Sequence, residues 1–217
     1  MFNKEILSEI EKKIVVSENP FPNTIIENFF PLEVAKKAEE EFKNYNTTNE
    51  AGVRGAEHFQ KTKRFSNRYE DMPYTIKKII DFLYSKNFIN ILEKKFNLKN
   101  VEPDWSFHGG GLHESFNGGF LKIHSDFIYM RESKLRRVLN LLLYLNSNWQ
   151  KNWGGSIELW DKEMKSARKS VLPEINKAVI FRTDKVSNHG FPEPIRCPDN
   201  ITRKSIALYY YIIEKTI

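Results

Sequence analysis

After residue 100 the chain consists of short β-type segments separated by glycine and proline turns, and this pattern constrains the fold most. The predicted strands are 104–107, 120–123, 138–145, 156–159, 170–172, 178–182 and 205–213. The breaks between them contain Gly109-Gly110-Gly111, Gly118-Gly119, Gly154-Gly155 and the prolines Pro192 and Pro194. Many short strands with turn signals between them are typical of an antiparallel sandwich or barrel.

The first hundred residues have a different texture, with apolar residues at helical spacing. Four helices are predicted, with apolar stripes over 6–14, 34–45, 76–83 and 88–96. Pro31 and Pro73 suit first helical positions of the second and third helices. A short extended piece is predicted at 24–29 and a long polar loop at 44–69. The helical part has no independent boundary, so we predict that it packs against the β part in a single α+β domain over residues 1–217.

Composition narrows the class of protein. The chain has 217 residues, of which 40% are hydrophobic and 13% aromatic, so it can bury a core and is not expected to be disordered. The longest apolar runs, 141–145 and 206–213, are shorter than the roughly 18 residues that cross a membrane. The charged N-terminal stretch does not resemble a signal peptide, and the single cysteine, Cys197, allows no internal disulfide. We therefore expect a cytoplasmic protein with no membrane partner.

The positive charge is spread along the chain. Lysine and arginine number 34 against 28 aspartate and glutamate residues, which gives a net charge of +6. The lysines lie mostly between apolar helical positions, as on a solvated face. One short basic cluster, made of Lys61, Lys63, Arg64 and Arg68, is compatible with nucleic acid or with an acidic ligand. Nucleic-acid binding needs a longer basic stripe, so it is not favoured.

The strongest local signal for chemistry is the triplet His124-Ser125-Asp126, directly after the predicted strand 120–123. His189 lies beyond the predicted strand 178–182. Two imidazoles and one carboxylate form the facial triad of non-haem Fe(II) oxygenases, which leaves positions open for a cosubstrate and O₂. A His-x-Asp triplet alone is weak support, because a lone histidine is more often structural. The other histidines lack ligand-spaced partners and are expected to be structural or to face the substrate: His58, His108 and His113.

Arg203 lies 14 residues after His189, at the start of the last predicted strand. Taken alone, it is a surface cation of a loop. A guanidinium that points into a barrel is costly unless it meets an anion, and its planar fork matches a carboxylate. After the triad residues, Arg203 is predicted to anchor the far carboxylate of a dicarboxylate cosubstrate.

From about residue 111 to residue 211 the sequence resembles the 2-oxoglutarate- and Fe(II)-dependent dioxygenases, in particular their prolyl-4-hydroxylase-like branch. Five pieces carry the resemblance in chain order: Gly118-Gly119 before the His124-Ser125-Asp126 triplet, Arg137 to Asn146 with Trp149, Gly154-Gly155 to Trp160, His189-Gly190, and Arg203-Lys204-Ser205. The resemblance implies an α+β fold class. Its core would be a double-stranded β-helix, or jelly-roll, over residues 101–217, supported by helices from residues 1–100.

The same resemblance implies a site. His124, Asp126 and His189 would bind Fe(II). Arg203 would pair with the distal carboxylate of 2-oxoglutarate, Tyr144 would hydrogen-bond that carboxylate, and Ser205 would assist. O₂ is the second cosubstrate, and ascorbate is a candidate reductant. The alternatives are a buried strand aromatic for Tyr144 and an ordinary strand residue for Ser205.

The implied reaction is hydroxylation of an unactivated C–H bond, with release of succinate and CO₂. Asp126 favours hydroxylation, because related halogenases lack this carboxylate. The substrate stays open between a prolyl residue of a protein, a free amino acid, and a small metabolite or glycan precursor. Its determinants are expected in 44–69 and 113–117, where Arg54, Arg64 and Arg68 would suit a carboxylate or phosphate. The oligomeric state is also left open.

Some features depart from the family pattern or fit other functions. Leu121 stands where collagen-type relatives carry a tyrosine, and the spacing from His189 to Arg203 is longer than in many relatives. A nucleic-acid demethylase would use the same centre, but Tyr209 stands where such enzymes carry a second arginine. A catalytically silent jelly-roll binding module and a zinc hydrolase are further alternatives, and neither needs Arg203. Gly154-Gly155 is predicted to be a turn, and Trp160 lies either at the substrate mouth or in the core.

Overall fold

The computed structural model describes residues 2–45, 49–50, 60–126, 129 and 134–213; for 49–50 and 60–62 it describes the backbone only. Within these ranges the helices are Lys4–Lys13 (α1), Leu32–Asn44 (α2), Tyr74–Leu83 (α3) and Lys86–Phe96 (α4). The strands are Asn23–Ile26 (β1), Asn49–Glu50 (β2), Gln60–Ser66 (β3), Val101–Pro103 (β4), Gly111–His124 (β5), Leu135–Tyr144 (β6), Ile157–Trp160 (β7), Ala167–Val171 (β8), Ala178–Arg182 (β9), His189–Phe191 (β10) and Arg203–Ile213 (β11).

All four predicted helices are present, and local signals set their ends. The Asn3 side chain accepts a hydrogen bond from the backbone N–H of Ile6 at the start of α1. Ser85 caps α4 in the same way, and Asn97 ends that helix in the left-handed conformation. Pro31 and Pro73 occupy the positions directly before α2 and α3.

The strands form one antiparallel sheet that curls into a near-barrel. The order of neighbouring strands is β1-β9-β6-β11-β5-β10-β7-β8, with β3 added beside β5 and β4 beside β11. Sequence neighbours are therefore often distant in the sheet, as a jelly-roll requires. The predicted α+β class with a double-stranded β-helix core is confirmed.

The helices cover one face of this sheet. Ile79 and Leu92 belong to the same buried cluster as Leu141 of β6 and Leu208 of β11. A second, smaller cluster contains Leu159 and Phe181 together with Tyr144. The burial of apolar surface by the helices holds β6 and β11 rigid, and the inner face of these strands lines the candidate site.

Two predicted elements are wrong. Residues 104–107 form a turn rather than a strand, because the Asp104 carboxylate accepts hydrogen bonds from the backbone N–H groups of Ser106 and His108. The predicted loop over 44–69 contains β3, which pairs along β5 and reaches Ser66. The strand β3 was not predicted because its sequence, QKTKRFS, is mostly polar and shows no alternation of apolar and polar residues. Arg54 and His58 lie outside the described residues.

The stretch 113–117, expected to form a lid or a wall, lies within β5 and supplies part of the wall of the cavity described below. Among the described residues, none of the helices combines the length and the apolar character that crossing a membrane would require.

Candidate metal centre and anion pocket

Pairing of β5 with β10 brings the three predicted metal ligands together. His124 ends β5, His189 begins β10, and the two residues are direct partners in the pairing, with ring centroids 4.7 Å apart. Asp126 follows two residues after β5, with its Oδ1 3.5 Å from His124 Nε2 and its Oδ2 3.6 Å from His189 Nε2. One ligand atom from each residue lies within 4.8 Å of the others. The three side chains therefore form a group that can hold one metal ion.

Backbone carbonyls orient both imidazoles. His124 Nδ1 lies 2.8 Å from the carbonyl oxygen of Lys122, and His189 Nδ1 lies 2.9 Å from that of Ser187. A carbonyl only accepts, so each Nδ1 donates and each Nε2 presents a lone pair towards the centre. Burial lowers the pKa of His189 in spite of the opposing charge of Asp126. The neutral form that a metal ligand requires is therefore favoured.

Asp126 is fixed by two neighbours on β6. Asn140 Nδ2 donates to Asp126 Oδ2 at 2.6 Å, and Arg137 Nη1 lies 3.2 Å from the same oxygen. Burial acts to raise the pKa of Asp126, but its neighbours His189, His124 and Arg137 hold it well below its usual range, and Arg137 does so with both imidazoles neutral. The carboxylate is therefore ionised and held in one orientation.

Arg203, the first residue of β11, is only 5% exposed. Its Nε donates to the carbonyl oxygen of Gly155 at 2.7 Å, and its Nη2 donates to the Tyr144 hydroxyl at 3.1 Å. The guanidinium carbon lies 4.4 Å from the centroid of the Phe191 ring. In the described part of the chain no carboxylate pairs with Arg203. A buried cation in this state is suited to an anionic ligand.

Tyr144 and Ser205 lie beside this guanidinium. Ser205 is the direct partner of Tyr144 on β6 and of His113 on β5, so the three side chains share the inner face of the sheet. Burial raises the pKa of Tyr144 against the opposing charge of Arg203, so the hydroxyl keeps its proton. Since the hydroxyl oxygen accepts from Arg203, that proton is available to a carboxylate.

The two groups of residues share one cavity of about 490 Å³. His124, Asp126 and His189 line one part of its wall, and Arg203 and Ser205 line another. The rest of the wall is largely apolar and includes Leu121, Leu142, Ile157, Phe181 and Phe191. A small molecule in this cavity can thus touch a metal ion and a cation at the same time.

The remaining residues considered from the sequence lie as follows. His113 lines the cavity, whereas His108 belongs to the turn after β4. The Tyr209 ring lies 3.8 Å from the guanidinium carbon of Arg137. Gly154-Gly155 is a turn, as predicted, and Trp160 donates a hydrogen bond to Glu158 on the same strand.

Sequence reasoning missed functions for Asn140 and Gly155. Apart from Asn140 and Tyr144, the segment 138–145 is apolar. A polar residue such as Asn140 at an inward position of a strand is a usable signal of a functional contact. Gly155 has φ +71°, and a Cβ there would lie 3.2 Å from Arg203 Cδ and 3.3 Å from Trp149. Nothing in the local sequence distinguishes this close approach from an ordinary turn.

Comparison with known proteins agrees with this geometry. Residues 110–211 match the 2OG-Fe(II) oxygenase superfamily. A segment of 79 residues is 32% identical to Prolyl 3-hydroxylase OGFOD1 of Mus musculus, and it covers 35% of this chain and 14% of that protein.

Solved structures of low sequence identity share the fold. A prolyl-4-hydroxylase from Pseudomonas putida matches with a TM-score of 0.65 at 15% identity, over 95% of this chain and 98% of that one. A prolyl hydroxylase from Trichoplax adhaerens, solved with a peptide fragment of hypoxia inducible factor, matches with 0.63 at 15% identity over 97% and 94%. HygX from Streptomyces hygroscopicus, solved with nickel and 2-oxoglutarate, matches with 0.60 at 10% identity over 100% and 89%.

The donor set fits the metal and the cosubstrate that the name of this superfamily states. Two imidazoles that turn their Nε2 atoms towards an ionised carboxylate form, together with it, a donor set that suits Fe(II). A buried guanidinium without a carboxylate partner suits one end of a dicarboxylate. Residues 110–211 thus match the 2OG-Fe(II) oxygenase superfamily, and the chain shares its fold with prolyl-4-hydroxylases.

Proposed function

We propose that this protein is an Fe(II)- and 2-oxoglutarate-dependent hydroxylase that acts on an unactivated C–H bond. One observation carries the proposal: a single cavity contains both the His-Asp-His group and a buried guanidinium with no carboxylate partner in the described part of the chain. A zinc hydrolase has no use for that cation, and a silent binding module has no use for the metal group. Both features are needed only if a dicarboxylate and a metal ion meet in the cavity.

In this proposal His124, Asp126 and His189 hold Fe(II) and leave its remaining positions to ligands. When bound, the iron and 2-oxoglutarate would activate O₂, of which one oxygen atom would enter the C–H bond and the other would oxidise 2-oxoglutarate to succinate and CO₂. Asn140 and Arg137 keep the Asp126 carboxylate ionised and correctly turned. Such outer contacts fix the geometry of the metal ligands and tune their basicity.

Arg203, Tyr144 and Ser205 hold and orient the distal carboxylate of 2-oxoglutarate. Arg203 supplies charge and a planar donor group, and Tyr144 supplies a protonated hydroxyl. The carbonyl oxygen of Gly155 turns the guanidinium towards the cavity. The apolar walls around Leu142 and Phe181 exclude water from the reacting atoms.

For the substrate we propose a prolyl residue of a peptide or a free amino acid. Support comes from the relatives, since three of them are named as prolyl hydroxylases and one of these was solved with a peptide. We also propose ascorbate as the reductant that restores Fe(II), and the reducing cytoplasm as the compartment. The test is consumption of 2-oxoglutarate with prolyl peptides and with free amino acids, followed by mass spectrometry for a gain of one oxygen atom.

The metal ligands are tested without any substrate. Fe(II) and 2-oxoglutarate added without oxygen should produce a weak visible charge-transfer band. The band should vanish in Asp126→Ala and in His189→Ala, because each variant loses one of three ligands and Fe(II) affinity falls by more than about 100-fold. A band that persists in both variants would refute the ligand assignment.

A further inference from the structure

Lys63 on β3 is a cation of the cavity that the proposed function does not use. It is the direct partner of Ser115 on β5, and Ser115 is in turn the direct partner of Arg203 on β11. Residues paired directly across neighbouring strands point to the same face of a sheet. The side chains of Lys63, Ser115 and Arg203 therefore stand in one row, and all three line the cavity.

The ammonium of Lys63 has no partner in the described part of the chain, where it forms neither a hydrogen bond nor an ion pair. Burial and then the charge of Arg203 lower its pKa to about 8, while Asp126 acts in the opposite direction. The charge of Lys63 thus interacts with both the anchor residue and the metal group. All of these residues line the same cavity.

The surroundings of Lys63 leave room for an anion. Ser115 has a short side chain, so a ligand can approach the ammonium from that side. The neighbouring His113 is neutral, because burial and then the charge of Lys63 place its pKa well below the usual value. Its Nε2 is buried without a hydrogen-bond partner. The Lys63 ammonium and the His113 Nε2 are therefore polar atoms without a hydrogen-bond partner in the described part of the chain.

A dicarboxylate cosubstrate presents two negative charges, and Arg203 pairs with only one of them. In the proposed function, the other carboxylate would lie at the metal end of the cavity. Asp126 already has Asn140 and Arg137 as partners. When Arg203 binds the distal carboxylate, Lys63 is the remaining cavity-lining cation that has neither a carboxylate nor a hydrogen-bond partner in the described residues.

We infer that Lys63 binds the metal-proximal carboxylate of 2-oxoglutarate and so acts as a second cationic contact for the cosubstrate. This inference rests on the proposed function. It assigns β3, which lies within the predicted loop 44–69, a direct role in cosubstrate binding. Each carboxylate of 2-oxoglutarate then has its own cation: Arg203 binds the distal carboxylate, and Lys63 binds the metal-proximal one.

The test is a binding experiment with Mn(II)-loaded protein, in which no turnover occurs. Two probes are titrated: 2-oxoglutarate, and 2-oxopentanoate, which keeps the oxo-acid end and lacks the distal carboxylate. Lys63→Met should bind both probes about 10- to 100-fold more weakly, because a charge-assisted hydrogen bond is lost. Calorimetry and the Mn(II) electron paramagnetic resonance spectrum report ligand entry, and Mn(II) affinity should be unchanged.

The matched control is Arg64→Met. Arg64 is the next residue on β3, so its side chain points to the opposite face, where it stacks over Phe116 at 4.5 Å. The Arg64→Met variant removes one positive charge from the same strand, and it should leave the affinities for 2-oxoglutarate and 2-oxopentanoate unchanged. Lys63→Arg keeps the cation and should recover part of the lost affinity, so a folding defect in Lys63→Met does not end the test.

The outcomes separate the inference from the function on which it rests. If the Mn(II)-loaded wild type binds no 2-oxoglutarate, the proposed function is wrong. If the wild type binds it and Lys63→Met binds both probes equally well, the inference alone is overturned, and a raised KM for an acidic substrate would then assign Lys63 to the substrate. A loss for 2-oxoglutarate without a loss for 2-oxopentanoate would place Lys63 at the distal carboxylate and would also overturn it.

Discussion

The two ends of the cavity differ in how their charges are balanced. At the metal end, Asp126 is held by Asn140 and Arg137. At the other end, Arg203 has no carboxylate partner in the described residues, and Lys63 of the same cavity has none either. In the described residues, the Asp126 carboxylate therefore has its partners within the protein. The cations Arg203 and Lys63 do not, and a bound anionic ligand would neutralise them.

This difference indicates how each end responds to mutation. Contacts at the metal end are made within the protein. A mutation there therefore alters the orientation of the Asp126 side chain, which the protein itself supplies as a metal ligand. Contacts at the cation end are completed only by the bound anion, so a change there removes affinity for that anion directly. Binding also stabilises the fold by mass action, because the ligand neutralises buried cations.

The largest effect is expected for Arg203→Met. This change removes the planar donor group from the anchor end, so the affinity for 2-oxoglutarate should fall on the order of 100-fold. Affinity for 2-oxopentanoate, which has no distal carboxylate, should barely change. Both are measured by calorimetry on the Mn(II)-loaded protein.

Arg203→Lys is the control for charge against geometry. It keeps the positive charge and loses the bond to Gly155, so it should recover only part of the affinity. Equal losses for 2-oxoglutarate and 2-oxopentanoate in Arg203→Met would contradict the division of the cavity into two ends.

A smaller effect, at the opposite end, is expected for Asn140→Ala. Loss of the 2.6 Å hydrogen bond to Asp126 frees that carboxylate to turn, so metal affinity should fall about tenfold. At saturating Mn(II) the affinity for 2-oxoglutarate should stay near the wild-type value. Metal titration followed by 2-oxoglutarate titration separates the two quantities. An unchanged metal affinity would show that Arg137 alone orients the carboxylate.

Much of the fold and of the candidate site could be predicted from the sequence. The helices follow from apolar periodicity, and most of the core strands follow from apolar runs between turns. His124 and Asp126 are two residues apart at a strand end, which brings them together by local geometry alone. His189 and Arg203 could be added only through the order of five motif pieces, because strand pairing that joins distant segments has no local signal.

The residues that sequence reasoning missed depend on contacts across the sheet. The polar run around Lys63 looked like a loop, and its inward face becomes visible only when β3 is paired with β5. Gly155 matters because Arg203, 48 residues later, packs against it. Such meetings of side chains from separate strands are set by register, which a single sequence does not specify.

The smallest effect is expected for Tyr144→Phe. The change removes one hydroxyl that accepts from the cavity-lining Arg203, so affinity for 2-oxoglutarate should fall about 3- to 10-fold. Tyr210→Phe is the matched control, since its hydroxyl is equally buried and donates to the carbonyl oxygen of Leu83 in the helical core. That variant should lower the melting temperature and leave the affinity for 2-oxoglutarate unchanged.

This pair of variants decides between the two interpretations of Tyr144. If the tyrosine is only a buried strand aromatic, both variants should lose stability and neither should lose affinity. If it contacts the cosubstrate, loss of affinity appears in Tyr144→Phe alone, and it should be absent for 2-oxopentanoate, which lacks the distal carboxylate. The cation end would then consist of a guanidinium and a hydroxyl that act on the same carboxylate.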